Sequence, residues 1–151
     1  SLVDAENIVI KQAKFNHYQI IDALLQGDCK KCLTMLNQLQ QEGTAAGQVI
    51  WVLHKEFIQL YAMLGKLAQG QQLSALFKEY RIWDKRKPLY HHALTHISLQ
   101  NIKRAMARLA DIDLISKTSS EFNVFILLAD HCITLYHGDI TANYPLDYEY
   151  S

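Results

Sequence analysis

Apolar residues recur at helical spacing along most of this 151-residue chain, and only six glycines and two prolines interrupt the pattern. Residues three, four and seven positions apart share one face of an α-helix, as in the series Cys29, Cys32, Leu33, Leu36 and Leu39. The candidates for β-strands, such as residues 7–10, are too short. The sequence therefore predicts an all-α protein that forms a single helical bundle of about six helices.

Start and stop signals divide this pattern into separate helices. Asp28 and Ser98 are predicted N-caps, because their side-chain oxygens can accept hydrogen bonds from free backbone N–H groups of the first turn. Gly27 is predicted to end a helix in the left-handed conformation. Thr118 and Glu121 have the spacing of a capping box, which predicts that the last helix begins there.

Two of the predicted helices, residues 46–69 and 121–137, are apolar around most of their circumference. A helix of this kind packs on more than one side, and surplus apolar surface is typical of a protein interface. We therefore expect these helices to carry a surface for a partner protein. The candidate interface residues are Phe57, Leu60, Tyr61, Leu64, Phe122, Phe125 and Ile126.

The charge is balanced overall, with 15 basic and 15 acidic residues, so net charge indicates neither a nucleic-acid nor a membrane partner. Residues 78–108, however, contain eight basic residues against two acidic ones, together with Tyr80, Trp83 and Tyr90. Cations interleaved with aromatic rings can hold a phosphate backbone while bases stack. The interpretation that we favour is a short loop with a buried Trp83 and solvated cations. The candidate phosphate contacts are Arg81, Lys85, Arg86 and Lys87.

The stretch DCKKC places Cys29 and Cys32 at the spacing of half a zinc site or of a redox dithiol. A thioredoxin-like dithiol follows a strand, and no strand is predicted here. A zinc site needs two further ligands, for which His92 and His96 are the candidates, but the intervening length matches no known zinc finger. We interpret the two cysteines as packing residues, and a metal-stabilised helical module is the weakest alternative.

No pattern predicts catalysis or a cofactor. The chain has no nucleophile in a G-x-S-x-G turn, no glycine-rich phosphate loop and no paired carboxylates on a plausible cleft wall. No apolar run approaches the roughly 18 to 20 residues of a membrane-spanning helix, and the first residues lack the pattern of a secretory signal. An odd number of cysteines favours a reducing compartment. We expect a non-catalytic, cytoplasmic protein without a cofactor.

Four segments follow one another in a specific order: IIDALLQGDCKKCLTMLNQLQQEG, LHKEFIQL, LFKEYRIWDKRKPLYHHAL and RLADIDLISK. Their order and spacing resemble the C-terminal domain of the delta subunit of bacterial DNA polymerase III clamp loaders. The residues that carry the resemblance are Asp22 to Leu25 with Gly27, the turn from Leu39 to Gly43, Lys55 and Glu56, Arg81 to Trp83, Arg86, and Ala93 with Leu94.

The resemblance implies a collar domain. In that family, two ATPase-related domains without a working nucleotide site precede a helical domain, which joins the gamma or tau and delta prime subunits in a five-membered collar. Residues 16–138 would be this domain, residues 1–15 a linker or helix from the preceding lid domain, and residues 139–151 a loose acidic tail that contains tyrosines. The sliding clamp would be bound only by the missing N-terminal domain, and DNA weakly or indirectly. The holoenzyme would be a DNA-directed DNA polymerase, a nucleotidyltransferase.

We therefore expect a non-catalytic assembly domain that helps to hold a ring of ATPases in register. The leading alternative is a nucleic-acid-binding helical domain that uses the basic residues 78–108.

Overall fold

The computed structural model describes residues 18–118 and 123–137, and within these ranges every regular element is helical. The helices are α1 (residues 18–26), α2 (Cys29–Gln41), α3 (Ala46–Ala68), α4 (Leu73–Glu79), α5 (Lys87–His96), α6 (Leu99–Thr118) and α7 (Val124–His137). A single 3-10 turn, Asp84–Arg86, precedes α5. The prediction of an all-α bundle is confirmed, with seven α-helices in the described chain instead of about six.

The two predicted N-caps are confirmed by their hydrogen bonds. The Asp28 carboxylate accepts a bond of 3.0 Å from the backbone N–H of Lys31 at the start of α2. The Ser98 hydroxyl accepts one of 3.0 Å from the N–H of Asn101 at the start of α6. Each bond satisfies one of the N–H groups that a helix leaves free in its first turn, so the start of both helices is fixed by local sequence.

Gly27 ends α1 as predicted, with a φ of +75°. The turn is closed from two sides, because the Tyr136 hydroxyl donates a 2.7 Å hydrogen bond to the Leu25 carbonyl and His92 Nδ1 lies 3.1 Å from the same oxygen. A Cβ at position 27 would lie 3.5 Å from ring atoms of His92 and of Tyr136. Glycine is therefore favoured here by its backbone angle, and α5 and α7 meet at this end of α1.

The predicted capping box at the start of the last helix is wrong. Thr118 is the last residue of α6, and its hydroxyl donates a 2.7 Å hydrogen bond back to the Leu114 carbonyl. The described part of α7 begins at Val124, and the Asn123 side chain accepts a 3.1 Å bond from the N–H of Phe125. Threonine can bond either forward to a new helix or back to its own helix, and here it bonds back.

The core lies between the long helices. α3 packs against α6 and α5, and α7 packs against α6 and α2. The largest fully buried side chains are Ile20, Leu24, Leu25, Leu36, Leu39, Leu53, Phe57, Leu60, Met63, Leu76, Tyr90 and Ile97. No helix in the described ranges is both long and apolar enough to span a membrane. The predicted linker (1–15), the Glu121 half of the capping box and the tail (139–151) lie outside the described residues.

Candidate functional site

Three of the predicted interface residues belong to the core of the bundle. Phe57 and Leu60 have no exposed surface, and Leu64 is 9% exposed. They lie on the side of α3 that packs against the rest of the bundle. The apolar circumference of α3 is thus used largely within this chain, and the assignment of Phe57, Leu60 and Leu64 to a partner surface is corrected.

The opposite side of α3 carries an exposed apolar surface, which we call the α3 stripe: Trp51, Lys55, Ile58 and Tyr61. Trp51 is 62% exposed, Ile58 46% and Tyr61 37%. With 100° between successive residues, Trp51, Lys55 and Ile58 project within about 60° of one another, and Tyr61 borders them on one side. Only Tyr61 was among the predicted interface residues, although the seven-residue spacing of Trp51 and Ile58 was a signal for their shared face.

Two lysines lie against the aromatic rings of the α3 stripe. Lys55 Nζ is 5.3 Å from the centre of the Trp51 ring, and Lys103 Nζ from α6 is 6.0 Å from the centre of the Tyr61 ring. Both distances are in the range of a cation–π contact. The stripe therefore combines apolar area with positive charge, and it would fit a partner surface that is apolar with acidic side chains at its edge.

The predicted interface residues on α7 fall into three groups. Ile126 is 56% exposed, whereas Phe125 is half-buried and packs against the core. Phe122 lies outside the described residues. On the neighbouring helix α6, Leu114 is 62% exposed. This part of the bundle thus has isolated exposed aliphatic side chains, of which Ile126 was predicted.

The four predicted phosphate contacts lie at the loop between α4 and α5, but two of them make ion pairs. Arg86 donates through Nε and Nη2 to one carboxylate oxygen of Asp22, at 3.2 and 3.0 Å. Lys87 Nζ is 2.7 Å from the Asp84 carboxylate. Arg81 and Lys85 are exposed. The structure therefore gives Arg86 a role in the fold and leaves Arg81 and Lys85 at the surface.

Trp83 lies in the same loop and is 73% exposed, so the expected burial of this ring is wrong. The loop closes α4 with Arg81 in the left-handed region, at a φ of +53°. The Arg81 N–H donates to the Lys78 carbonyl and the Ile82 N–H to the Phe77 carbonyl, at 3.2 and 2.9 Å. This helix-ending turn directs the chain outward just before Trp83, and the loop presents one aromatic ring beside two exposed cations.

A polar network links four elements beneath this loop. The Tyr90 hydroxyl of α5 donates a hydrogen bond to the Glu56 carboxylate of α3 and accepts one of 3.0 Å from Gln59. The Arg86 guanidinium lies 5.4 Å from the centre of the Tyr90 ring and pairs with Asp22 of α1. Burial raises the pKa of Glu56, although the Tyr90 hydrogen bond and the Arg86 charge act against that rise. The network joins α1, α3, α5 and the 3-10 turn.

The three cysteines of the chain lie together between α2 and α7. Cys32 and Cys132 are both 1% exposed, and Cys29 is half-buried one turn before Cys32. The neighbouring Cys132 thiol, as a hydrogen-bond donor, lowers the pKa of Cys32, and the same interaction raises the pKa of Cys132. From the sequence alone, Cys132 was not connected with Cys29 and Cys32, because residues about 100 positions apart show no characteristic spacing when their helices pack together.

The proposed zinc ligands are not brought together. His92 and His96 stack on each other with ring centres 4.1 Å apart, and each directs Nδ1 to a backbone carbonyl, of Leu25 and His92 respectively. Among the residues that the structure describes, no group of three or more His, Cys, Asp or Glu side chains is arranged to hold a metal ion.

His131 of α7 is fully buried, and neither ring nitrogen has a hydrogen-bond partner within the described ranges. Its ring meets the edge of Phe57, with centres 5.3 Å apart at an angle of 75°. Burial, with the nearby Arg108 charge, lowers the pKa of His131 to about 3. The residue is therefore neutral in the folded protein at neutral pH, and sequence alone gave no sign of its burial.

Comparisons with known proteins agree on one family. Residues 17–141 match the model of the family described as processivity clamp loader gamma complex DNA pol III C-term. The DNA polymerase III subunit delta of Escherichia coli (strain K12) is 28% identical over 137 residues, which cover 91% of this chain and 40% of that protein. The protein of the same name from Haemophilus influenzae is 29% identical over 133 residues, covering 82% of this chain and 38% of that protein. The chain thus spans about 40% of the length of these relatives.

Proposed function

This chain belongs to the family of the C-terminal domain of the DNA polymerase III clamp-loader delta subunit, and on that basis we propose that it is a non-catalytic assembly domain of a clamp loader. Its task would be to pack side by side with the helical domains of neighbouring subunits, namely gamma or tau and delta prime, in a collar. The ATPase-related parts of the loader would be held in register by this packing, so that nucleotide state in the neighbours is transmitted to clamp opening.

The observation that carries this proposal is the α3 stripe. Trp51 and Ile58 expose large apolar side chains two turns apart on the same face of a helix whose other side is already packed in the core. Contiguous exposed apolar surface is typical of protein interaction sites, and tryptophan is among the residues that contribute most to binding energy at protein interfaces. Lys55 and Lys103 beside the rings favour a partner with acidic side chains around an apolar centre.

The test is assembly with clamp-loader subunits, measured by co-elution in size-exclusion chromatography and by titration. Ile58→Glu and Trp51→Glu are expected to keep the circular dichroism and melting temperature of the unchanged protein, because both side chains are exposed in the free chain. Each is expected to weaken assembly at least about tenfold, since the variant loses a large apolar contact and turns a carboxylate towards the acidic side chains expected on the partner.

The matched control is Leu114→Glu, which places the same charge at a similarly exposed aliphatic position on α6. Assembly that weakens equally in all three variants would indicate a general effect of surface charge. Normal assembly of both α3 variants would refute the α3 stripe as the interface.

A second candidate function, contact with single-stranded nucleic acid, is favoured by one specific observation. Trp83 is 73% exposed in a loop that also exposes Arg81 and Lys85. Stacking of a base on an exposed aromatic ring contributes about 1–3 kcal/mol, and neighbouring cations neutralise phosphates. The zero net charge of the chain argues for weak binding that would add to assembly and not replace it.

Fluorescence anisotropy with a labelled oligothymidine tests this function. Trp83→Ala is expected to weaken binding at low salt by roughly 5- to 150-fold, the equivalent of one lost stacking contact. Lys85→Ala is expected to reduce the slope of affinity against salt by about one unit. Trp51→Ala is the control, because it removes the other exposed tryptophan without touching the loop. Equal affinities for the Trp51 and Trp83 variants would refute the contact.

A further inference from the structure

The buried thiols of Cys32 and Cys132 lie in contact across two helices that are far apart in sequence. Both side chains are 1% exposed, and α2 packs against α7. Gln40 near the end of α2 donates a 3.2 Å hydrogen bond to Asn123 at the start of α7, and Cys32 and Cys132 lie at similar distances along their helices from this contact. A disulfide needs its two side chains to lie opposite each other, and the register of α2 on α7 places Cys32 and Cys132 at the same level. Cys29, half-buried and one helical turn away, is the member of the cluster nearest to solvent.

We propose that Cys32 and Cys132 form a reversible disulfide when the protein meets a small hydroperoxide, and that this bond links α2 covalently to α7. Neither the packing interpretation of DCKKC nor the proposed role in assembly assigns chemistry to these residues. The inference is independent of the clamp-loader function.

The chemistry balances with a hydroperoxide as the only oxidant. The Cys32 thiolate attacks one peroxide oxygen, the O–O bond breaks, and Cys32 becomes a sulfenic acid while hydroxide or an alkoxide leaves. The Cys132 thiol then attacks the Cys32 sulfur, the S–O bond breaks, and water leaves as the S–S bond forms. Two thiols lose two electrons in total, and the peroxide is reduced by two.

The environment of the pair assigns the order of these steps. The neighbouring Cys132 thiol, as a hydrogen-bond donor, lowers the pKa of Cys32, so Cys32 carries more thiolate character and is the first nucleophile. The pKa of Cys132 is raised by the same interaction, so Cys132 remains a thiol until it resolves the sulfenic acid. Burial raises the pKa of Cys29, which makes Cys29 a poor competitor in spite of its exposure. Because both reacting sulfurs are buried, we expect slow oxidation by small peroxides and slower oxidation by bulky disulfides.

The experiment treats the protein with hydrogen peroxide, removes the oxidant with catalase and labels the remaining thiols with a maleimide after denaturation. The expected product has one labelled thiol instead of three, and an unreduced digest contains a peptide pair joined through Cys32 and Cys132. Dithiothreitol should restore three thiols. The bond closes a loop on the order of 100 residues, so the melting temperature of the oxidised protein should rise on the order of 10 °C.

Variants separate the proposed pair from its neighbours. Cys29→Ser should retain the cross-link and the rise in melting temperature. Cys132→Ser, or Cys132→Val if the serine variant does not fold, should stop at a Cys32 sulfenic acid that a dione reagent traps. A cross-link between Cys29 and Cys32 in the unchanged protein, a cross-link between two chains, or three free thiols after prolonged treatment would each overturn the proposal. The peptide map of the unchanged protein decides the matter even if every variant fails to fold.

Discussion

His131 gives the sharpest test of the core, because its burial makes the stability of the fold depend on pH. Burial lowers the pKa of His131 to about 3, whereas a histidine in an unfolded chain titrates near about 6.5. The folded state therefore binds fewer protons than the unfolded state throughout this window. The contribution of His131 to stability is complete above the pKa of the unfolded chain. It is lost as the pH falls towards 3, because the unfolded chain takes up a proton that the folded protein does not.

The size of the effect follows from the two pKa values. Between pH 7.5 and pH 5 the unfolded histidine becomes almost fully protonated while the folded one stays neutral, so the free energy of unfolding should fall by about 2 kcal/mol on this account. Glu56 and Asp130 act in the opposite direction, because burial raises the pKa of both carboxyl groups and their protonation favours the folded state. The contribution of His131 must therefore be measured as a difference between proteins.

His131→Leu removes the titrating ring and replaces it with an apolar side chain of similar volume. The variant also removes two buried nitrogens that have no hydrogen-bond partner among the described residues, and it loses the edge contact with Phe57. These two changes oppose each other and do not depend on pH. The variant should lose the pH dependence that comes from His131. Its change in unfolding free energy between pH 7.5 and pH 5 should therefore differ from that of the unchanged protein by about 2 kcal/mol.

Urea denaturation at the two pH values, followed by circular dichroism, measures this difference. His54→Leu is the control, because His54 is exposed on α3 and its replacement leaves the core intact. A difference below about 0.5 kcal/mol for His131→Leu would refute the reasoning, since it would mean that the folded protein protonates His131 or hydrates it. A difference of the same size for His54→Leu would show that the effect is not specific to the buried ring.

Three further predictions follow from the packing. Phe125→Glu should cost several kcal/mol in thermal or urea unfolding because Phe125 packs on the core, whereas Ile126→Glu should cost about 1 kcal/mol or less; equal losses would contradict this. Tyr90→Phe should destabilise the fold by about 1–3 kcal/mol in the same assay, because the partly buried Glu56 carboxylate loses its donor. Metal analysis of protein purified without chelator should find well under one zinc per chain, and stoichiometric zinc that disappears in Cys32→Ser would reverse the packing interpretation.

Local chemistry explains why most helices could be predicted. The Asp28 and Ser98 caps and the left-handed Gly27 depend on residues within a few positions of each other, and the structure has all three. Thr118 shows the limit of such signals. The same hydroxyl can cap a new helix or bond to a carbonyl of its own helix. Which of the two occurs depends on whether packing extends α6 to Thr118, and the local sequence does not predict that.

It was harder to predict which face of each helix is buried within the bundle than to predict where the helices lie. A pattern that is apolar all round a helix indicates several packed sides but does not identify the one covered by the chain itself. On α3, neighbours that follow later in sequence decide this, since α6 covers much of one side and leaves Trp51 and Ile58 exposed. The contact of Cys32 with Cys132 and the burial of His131 have the same origin. Both features depend on how α7 packs on the bundle, and the residues near them in sequence do not indicate that packing.

The Tyr90 network brings together residues that the sequence analysis had named separately. Asp22, Glu56 and Arg86 carried the resemblance as separate short motifs, and the structure brings all three to one polar cluster around Tyr90. Arg86 is consequently a poor probe of nucleic-acid binding, because its replacement would leave the Asp22 carboxylate without its partner and weaken the junction of α1 with α5. A loss of affinity in an Arg86 variant would then report on folding. Trp83 and Lys85 project from the same loop without entering the network, so their replacement tests binding alone.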